Sequence, residues 1–290
     1  MNDTDNAPAI AVLPYGKWRA RGIAHIPLDD LCWPIGRPER LASGHVRDMQ
    51  AQDHILTYPR KPVFFLPRFG VKAQISVMIV EPDAIHIRYL RWARLLHGRF
   101  YKVLTKSAPL LAHINNGVLF YFGSTFIENY AAVDCSKSKM ASLIASARRD
   151  LQGHKLRHEM VDHIRERGLD VDIMGRGYHP FEHKEDGLAP YRYSVVIENV
   201  REKDYFSEKL VDACLCDTVP IYWGAPNIAD YFDTRGMIIC ETPDDIRRAL
   251  ATMSVADYQA RAKWIKKNRQ AAPKHAEYFE RAAKLIRDSL

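Results

Sequence analysis

The chain is short of cysteine, has no long apolar run and shows no repetitive tract, and each scarcity narrows what it can be. Five cysteines in 290 residues, Cys32, Cys135, Cys214, Cys216 and Cys240, are odd in number and lack C-x-x-C spacing, which argues against a disulfide framework and a cysteine zinc site. Cys214 and Cys216 stand two positions apart on a predicted helix, so they point in different directions and are poorly placed to share a metal or a disulfide. The thiols read as reduced and structural. Fifteen Gly and 16 Pro, spread without repeats, argue against fibrous and solenoid architectures. No segment approaches 18 consecutive apolar residues, and the opening MNDTDNAPAI lacks the basic and apolar regions of a secretory signal. The expectation is a cytoplasmic protein without a membrane span.

What is present is the composition of a globular chain, 47% apolar and 27% charged, long enough for two domains at about 150 residues each. Forty-two Lys and Arg against 35 Asp and Glu leave a net charge of +7, suited to an anionic partner. From Ala256 to Leu290 there are nine basic and four acidic residues, so this tail holds most of the excess. Pro273 splits it into two basic amphipathic helices, with Tyr258, Trp264 and Ile265 before the break and Phe279, Leu285 and Ile286 after it. Such a pair suits an anionic membrane surface, on the inner face in a cytoplasmic protein; packing on the body is the alternative. Aromatic interleaving is too thin there for a single-strand binder, so nucleic acid is not an expected partner.

Short runs rich in Val, Ile, Phe and Tyr alternate with helical patterns, which predicts an α/β protein with mostly parallel sheets. Strands are expected at 10–13, 63–66, 75–80, 102–105 and 118–122, with a helix from His86 to Phe100, and then at 140–145, 171–174, 194–198, 219–223 and 237–240. The polar stretch Asn129 to Lys139 marks the expected boundary, giving domains 1–133 and 134–255 followed by the basic segment 256–290. A helix from His154 to Arg167 places Leu156, Met160 and Ile164 on one face, and Gly168 stops it. The strand at 171–174 ends in Gly175-Arg176-Gly177, and that at 219–223 in Gly224-Ala225-Pro226-Asn227, with Asn227 expected to cap a helix from Ile228. Glycines at the carboxyl ends of parallel strands mark ligand sites of open sheets, and equally mark ordinary turns. Asp170-Val171-Asp172 is not read as a metal-binding pair, because the segment precedes the loop instead of lying in it. No histidine spacing binds metal.

The most informative segment is Tyr191-Arg192-Tyr193-Ser194-Val195-Val196-Ile197-Glu198-Asn199, followed by Asp204-Tyr205-Phe206-Ser207-Glu208-Lys209-Leu210. With Ser207 as N-cap, Glu208 and Lys209 occupy the first two helical positions. A lysine at the positive end of a helix dipole makes sense if an anion sits there too. Free backbone N–H groups, Lys209 and the Tyr205 phenol together would hold a phosphate or pyrophosphate.

YRYSVVIEN, then DYFSEKL, then VPIYWGAPN, in that order and spacing, resemble the donor-binding half of the α-1,3-fucosyltransferases, glycosyltransferase family 10. The resemblance runs from about Cys135 to Met237 and includes SKSKMASLIAS at Ser136 and LRHEM at Leu156. It implies a GT-B fold, two Rossmann-like domains facing a central cleft, with a GDP-sugar held by the C-terminal one. It implies contacts from Tyr205 and Lys209 to the diphosphate, a hydrogen bond from Glu208 at the ribose and a helix-start arginine at Arg157. Glu198, Asn199 and Gly224 close strands at the expected ligand edge. Ser207 stands where the family usually has Thr, and Phe206 replaces a smaller aliphatic residue.

The base that takes the acceptor proton should come from the other domain, and Glu81, after the apolar strand at 75–80 and before Pro82, is the candidate. The family usually has Asn after this Glu. The expected activity is inverting transfer of fucose from GDP-fucose to a glycan hydroxyl, on a bacterial surface polysaccharide or lipopolysaccharide precursor. Another GDP-sugar, such as GDP-mannose or a GDP-deoxyamino sugar, is the sister alternative, and a non-catalytic nucleotide-sugar binder is the other. No cofactor is expected; a divalent cation held only by the diphosphate would stimulate without leaving a motif.

Overall fold

A computed structural model describes residues 7–18 and 22–290 and divides the chain into two α/β units, Met1–Tyr121 with Tyr278–Leu290, and Phe122–Glu277. The change of unit falls at Tyr121 and Phe122, earlier than the polar stretch expected to mark it, and the basic tail is not a separate body. Most of the tail belongs to unit 2 and its last helix to unit 1, because contacts follow apolar faces and not local charge.

Unit 1 is a five-stranded parallel sheet in chain order: β1 (Ile10–Leu13), β2 (His54–Thr57), β3 (Gln74–Ile79), β4 (Val103–Thr105) and β5 (Gly117–Leu119). Strands buried on both faces read as largely apolar runs, as β3 does from Ile75 to Ile79 around the buried Ser76. Its Ile75, Val77 and Ile79 join a core with Leu90 and Ala93 of helix α2 (Asp83–Leu96). One strand here was not expected, and one expected strand does not form. His54–Thr57 is a strand although His and Thr flank its short apolar centre, and Val63–Leu66 is not one. Lys61–Phe65 forms the short helix α1 instead: Pro62 sits in its first turn, where a missing N–H is harmless, and Phe64 stacks on Tyr89 and meets Trp92 and Phe100 edge-on. A further short helix, α3 (Ala108–Leu111), leads into β5.

Unit 2 holds β6 (Lys139–Ile144), α4 (Gln152–Arg167), β7 (Val171–Met174), β8 (Tyr191–Ile197), α5 (Glu208–Leu215), β9 (Val219–Trp223) and β10 (Ile238–Ile239), all strands parallel. Helices α6 (Pro243–Thr252), α7 (Val255–Ala260), α8 (Ala262–Ala271) and α9 (Pro273–Ala276) complete it, and α10 (Tyr278–Arg287) returns to pack on β1 and β2. In the tail Ile265, Tyr278, Ala282, Ala283 and Ile286 are buried, while Lys263, Lys266, Lys267, Lys274, Lys284 and Arg287 are exposed. Its apolar side is thus occupied by the protein itself. Only a single 3-10 turn follows Asn227, whose side chain does not cap it.

Helix α4 starts two residues earlier than expected, buries Leu156, Met160 and Ile164, and ends at Gly168 with φ of 59°. Its first turn lies directly on the end of β8. The Gly153 N–H donates to the Asn199 carbonyl at 2.9 Å, and a Cβ on Gly153 would stand 1.7 Å from the Glu198 carbonyl oxygen. Gly153→Ala must push the helix off the strand. We expect a loss of about 1–3 kcal/mol, read as a lower thermal unfolding midpoint; an unchanged midpoint would show that α4 can shift at no cost.

Candidate functional site

The order of the second sheet is β10-β9-β8-β6-β7. The chain leaves β6 to one side for β7 and returns past it to β8, so the connections diverge between β6 and β8. In open parallel sheets ligands bind at the carboxyl ends of such a pair. A cavity of about 370 Å³ lies there, lined by Ile144, Ser146 and Arg148 after β6, His154 and Arg157 of α4, Arg176 after β7, Lys184, the end of β8 with Asn199, and Lys209 of α5. Five of these side chains are cations and none is an acid.

Arg157 and Lys209 are placed by the starts of α4 and α5. Arg157 is buried, and its Nε and Nη2 donate to the Ile197 carbonyl at 3.0 and 2.6 Å while Nη2 also reaches Asn199 Oδ1 at 2.9 Å. Burial works against its charge and Glu198, Glu208 and Tyr205 favour it; a guanidinium remains a cation there. Asp204, with φ of 58°, turns the chain towards α5 and is tied to the loop after β9: its N–H donates to Asn227 Oδ1 at 2.9 Å, and its Oδ1 accepts from Asn227 Nδ2 and the Tyr231 hydroxyl.

The start of α5 hangs on Glu198. This carboxylate is wholly buried and accepts from the Ser207 N–H at 2.9 Å and from Ser207 Oγ at 2.6 Å. Ser207 Oγ in turn accepts from the Lys209 N–H and from Lys209 Nζ at 3.1 Å, so the expected N-cap is present. Lys209 Nζ also donates to Glu208 at 2.9 Å. Burial opposes its charge, but Glu208 and Glu198 reverse the effect and hold Lys209 above the ordinary lysine value. Burial likewise works to raise Glu208, and Lys209 with Lys184 brings it below the ordinary carboxylate range. At Glu198 burial wins and the carboxyl is raised, with Lys209 opposing. Lys184, pulled down by burial and supported by Asp212 and Glu208, completes the network.

The structure therefore brings Arg157, Asn199 and Lys209 to the cavity wall and places Glu198 beneath it as the anchor of α5. Glu208 and Tyr205 are buried at the same helix start. Gly224 lies behind: a Cβ there would meet the Tyr222 hydroxyl at 2.3 Å and Glu198 Cγ at 2.7 Å, so its glycine is needed for close packing. Glu81 belongs to unit 1, half-buried two residues past the end of β3, with Tyr58 and Tyr278 in its electrostatic neighbourhood. Asp172 is engaged by Lys139 Nζ and the Tyr191 hydroxyl, each at 2.8 Å. Among the described residues no group of three or more His, Cys, Asp or Glu is placed to hold a metal. Sequence reasoning missed Arg148, His154, Arg176 and Lys184 as lining groups; the Gly-Arg-Gly turn after β7 was the one signal available.

One buried acid stands outside the wall. Asp212, one turn after Glu208 on α5, accepts at Oδ1 from Thr125 Oγ1 and from the Phe126 N–H at 3.2 Å, while its Oδ2 has no hydrogen-bond partner. Burial pushes its carboxyl up to about 7, against the pull of Lys184 and Thr125.

The family model described as glycosyltransferase family 10 (fucosyltransferase), C-terminal part, matches residues 135–279. An α-(1,3)-fucosyltransferase FucT of Helicobacter pylori is 34% identical over 57 residues, 20% of this chain and 12% of that protein. GDP-fucose protein O-fucosyltransferase 3 of Gallus gallus is 30% identical over 83 residues, 27% of this chain and 18% of that protein. These matches thus span less than a fifth of the curated relatives' length. Among solved structures, an α1,3-fucosyltransferase with GDP-fucose aligns with a TM-score of 0.53 at 16% identity, covering 90% of this chain and 83% of that one. Anabaena Alr3699/HepE with UDP aligns with a TM-score of 0.60 at 14% identity, covering 84% and 80%. At such identities the likeness is one of fold, and the fold is GT-B.

The position of Asp212 has a consequence for stability. Between about pH 4 and 7 the unfolded chain has released this proton and the native protein keeps it, so stability falls as pH rises through that window. Asp212→Asn preserves the acceptor for Thr125 and Phe126 and removes the ionisation. The gain in unfolding midpoint of the variant over the parent should therefore grow between pH 5 and 8. Parallel profiles would show that Asp212 ionises normally.

Proposed function

The chain belongs to glycosyltransferase family 10, and on that premise we propose that it transfers fucose from GDP-fucose to a hydroxyl group of a glycan acceptor. The observation that carries this reading is the cation-lined cavity at the carboxyl ends of β6 and β8, with Lys209 at the start of α5. A nucleoside diphosphate gains negative charge at its terminal phosphate as the bond to the sugar breaks. Positioned cations and helix N–H groups stabilise charge that develops in the transition state more than they stabilise the bound substrate. Lys209 and Arg157 serve the diphosphate with the Tyr205 hydroxyl, Glu208 serves the ribose, and Glu198 keeps α5 in place. The names of the relatives and the GDP-fucose complex support this donor.

In the reaction the acceptor oxygen attacks C1 of fucose, the C1–O bond to the diphosphate breaks, and GDP leaves with the bonding electrons. The acceptor proton passes to the Glu81 carboxylate, and a β-linked donor gives an α-linked product. The acceptor we assign is a bacterial surface polysaccharide or lipopolysaccharide precursor, consistent with a site of action at the cytoplasmic side of the membrane. Charge neutralisation falls to the side chains, with a divalent cation as an accessory held by the diphosphate alone. A different GDP-sugar would use the same diphosphate contacts.

Calorimetric titration with GDP, UDP and CMP should give selective binding of GDP, and Lys209→Ala should weaken it by about 2–4 kcal/mol. A variant that binds GDP normally would remove Lys209 from the site. Glu81→Ala should leave GDP binding intact and cut transfer by a factor on the order of 100 to 10,000. Unchanged turnover would assign the proton to another group, and turnover of another GDP-sugar in place of GDP-fucose would change the donor.

A further inference from the structure

We propose that unit 1 docks on the surface of an anionic lipid bilayer through the face formed by α1, the loop that follows it and the outer side of α2. Helix α2 turns His86, Leu90 and Ala93 inward. Its other sides carry Ile85, Arg88, Arg91, Arg94 and Leu95, all exposed, with Leu95 80% accessible. Phe65 of α1 meets the half-buried Trp92 edge-on at 4.9 Å and still shows much of its ring to solvent. Beyond it the loop is pinned in place: Arg99 Nη2 donates to the Leu66 carbonyl at 2.7 Å, and Arg68 Nη1 donates to the Arg99 carbonyl at 2.5 Å. Leu66 is exposed beside these ties, and Phe69, at 85% exposure, stands almost free of the protein.

Several strongly exposed apolar side chains on α1, α2 and a loop pinned between them are unusual on a protein that keeps its surface to itself. The surrounding charge selects the occupant. From Lys61 to Tyr101 the chain has seven Lys or Arg against two acids, Glu81 and Asp83, and Asp83 is paired with Lys106. A second copy of this face would set these cations against their equals. An anionic bilayer offers phosphates to the arginines and an acyl boundary to Phe65, Leu66, Phe69 and Leu95. The basic tail, expected from sequence to serve this purpose, has its apolar side packed on the protein and offers charge alone.

Co-sedimentation of the full chain with phosphatidylcholine vesicles, with and without phosphatidylglycerol, tests the assignment. The parent should bind the anionic vesicles, and less so as salt rises from about 0.1 to 0.5 M. Phe69→Ser with Leu95→Ser should lower partitioning about tenfold or more, and Arg88→Gln with Arg91→Gln by about fivefold per charge. Lys266→Gln with Lys267→Gln in the tail should leave it within about twofold. Unchanged unfolding midpoints and GDP titrations in the same variants separate the result from misfolding and from the donor site. Absence of binding, equal binding to neutral vesicles, or loss only in the tail variant would overturn the proposal. So would self-association in vesicle-free sedimentation that Phe69→Ser with Leu95→Ser abolishes, which would give the face to a second copy.

Discussion

The cation wall of unit 2 depends on one buried carboxylate. Glu198 directly follows β8 and holds Ser207 by both its N–H and its hydroxyl, and Ser207 caps α5. The position of Lys209 follows from that cap. The strand end that carries Glu198 also supplies the Ile197 carbonyl that orients Arg157 and the backbone on which Gly153 rests. Without this anchor, three elements that meet at one sheet edge would have no common reference.

Burying so many charges is unfavourable unless each is matched by a partner of opposite sign. Here the matching is internal but incomplete. Lys209 faces Glu208 and Glu198, and Lys184 faces Glu208 and Asp212, while Arg148 and Arg176 stand exposed at the cavity rim. Arg157 and Lys209, held by hydrogen bonds at the starts of α4 and α5, are preorganised for an anion, because these two side chains need not be drawn in from solvent when the ligand arrives.

The two units use the same parallel-sheet plan differently. In unit 2 the order of strands creates a crevice, and charge collects there. In unit 1 the strands run in simple chain order, and two of its most exposed apolar groups, Phe69 and Leu95, lie on the loop after α1 and on α2. Its last helix, α10, comes from the far end of the chain and covers β1 and β2 through Tyr278, Ala282, Ala283 and Ile286.

Sequence by itself determined what local pattern can encode: the α/β class, β1, β3, β4 and most of unit 2, the Ser207 cap, the stop at Gly168, and the ordered motifs of the family. These are set by side-chain period, capping chemistry and glycine conformation within a few residues. Tertiary structure alone decided what depends on distant partners. Glu198, legible as a strand-end acid, becomes an anchor facing inward because Ser207 reaches it; Gly224 packs on that same acid instead of lining the cavity. Arg148, Arg176 and Lys184 join the wall from loops whose sequence gives no period to read. Val63–Phe65 became part of a helix because the aromatic neighbours of Phe64 on α2 and at Phe100 outweigh strand propensity, and the tail was shared between two units because apolar period reports that a face is buried, not against what.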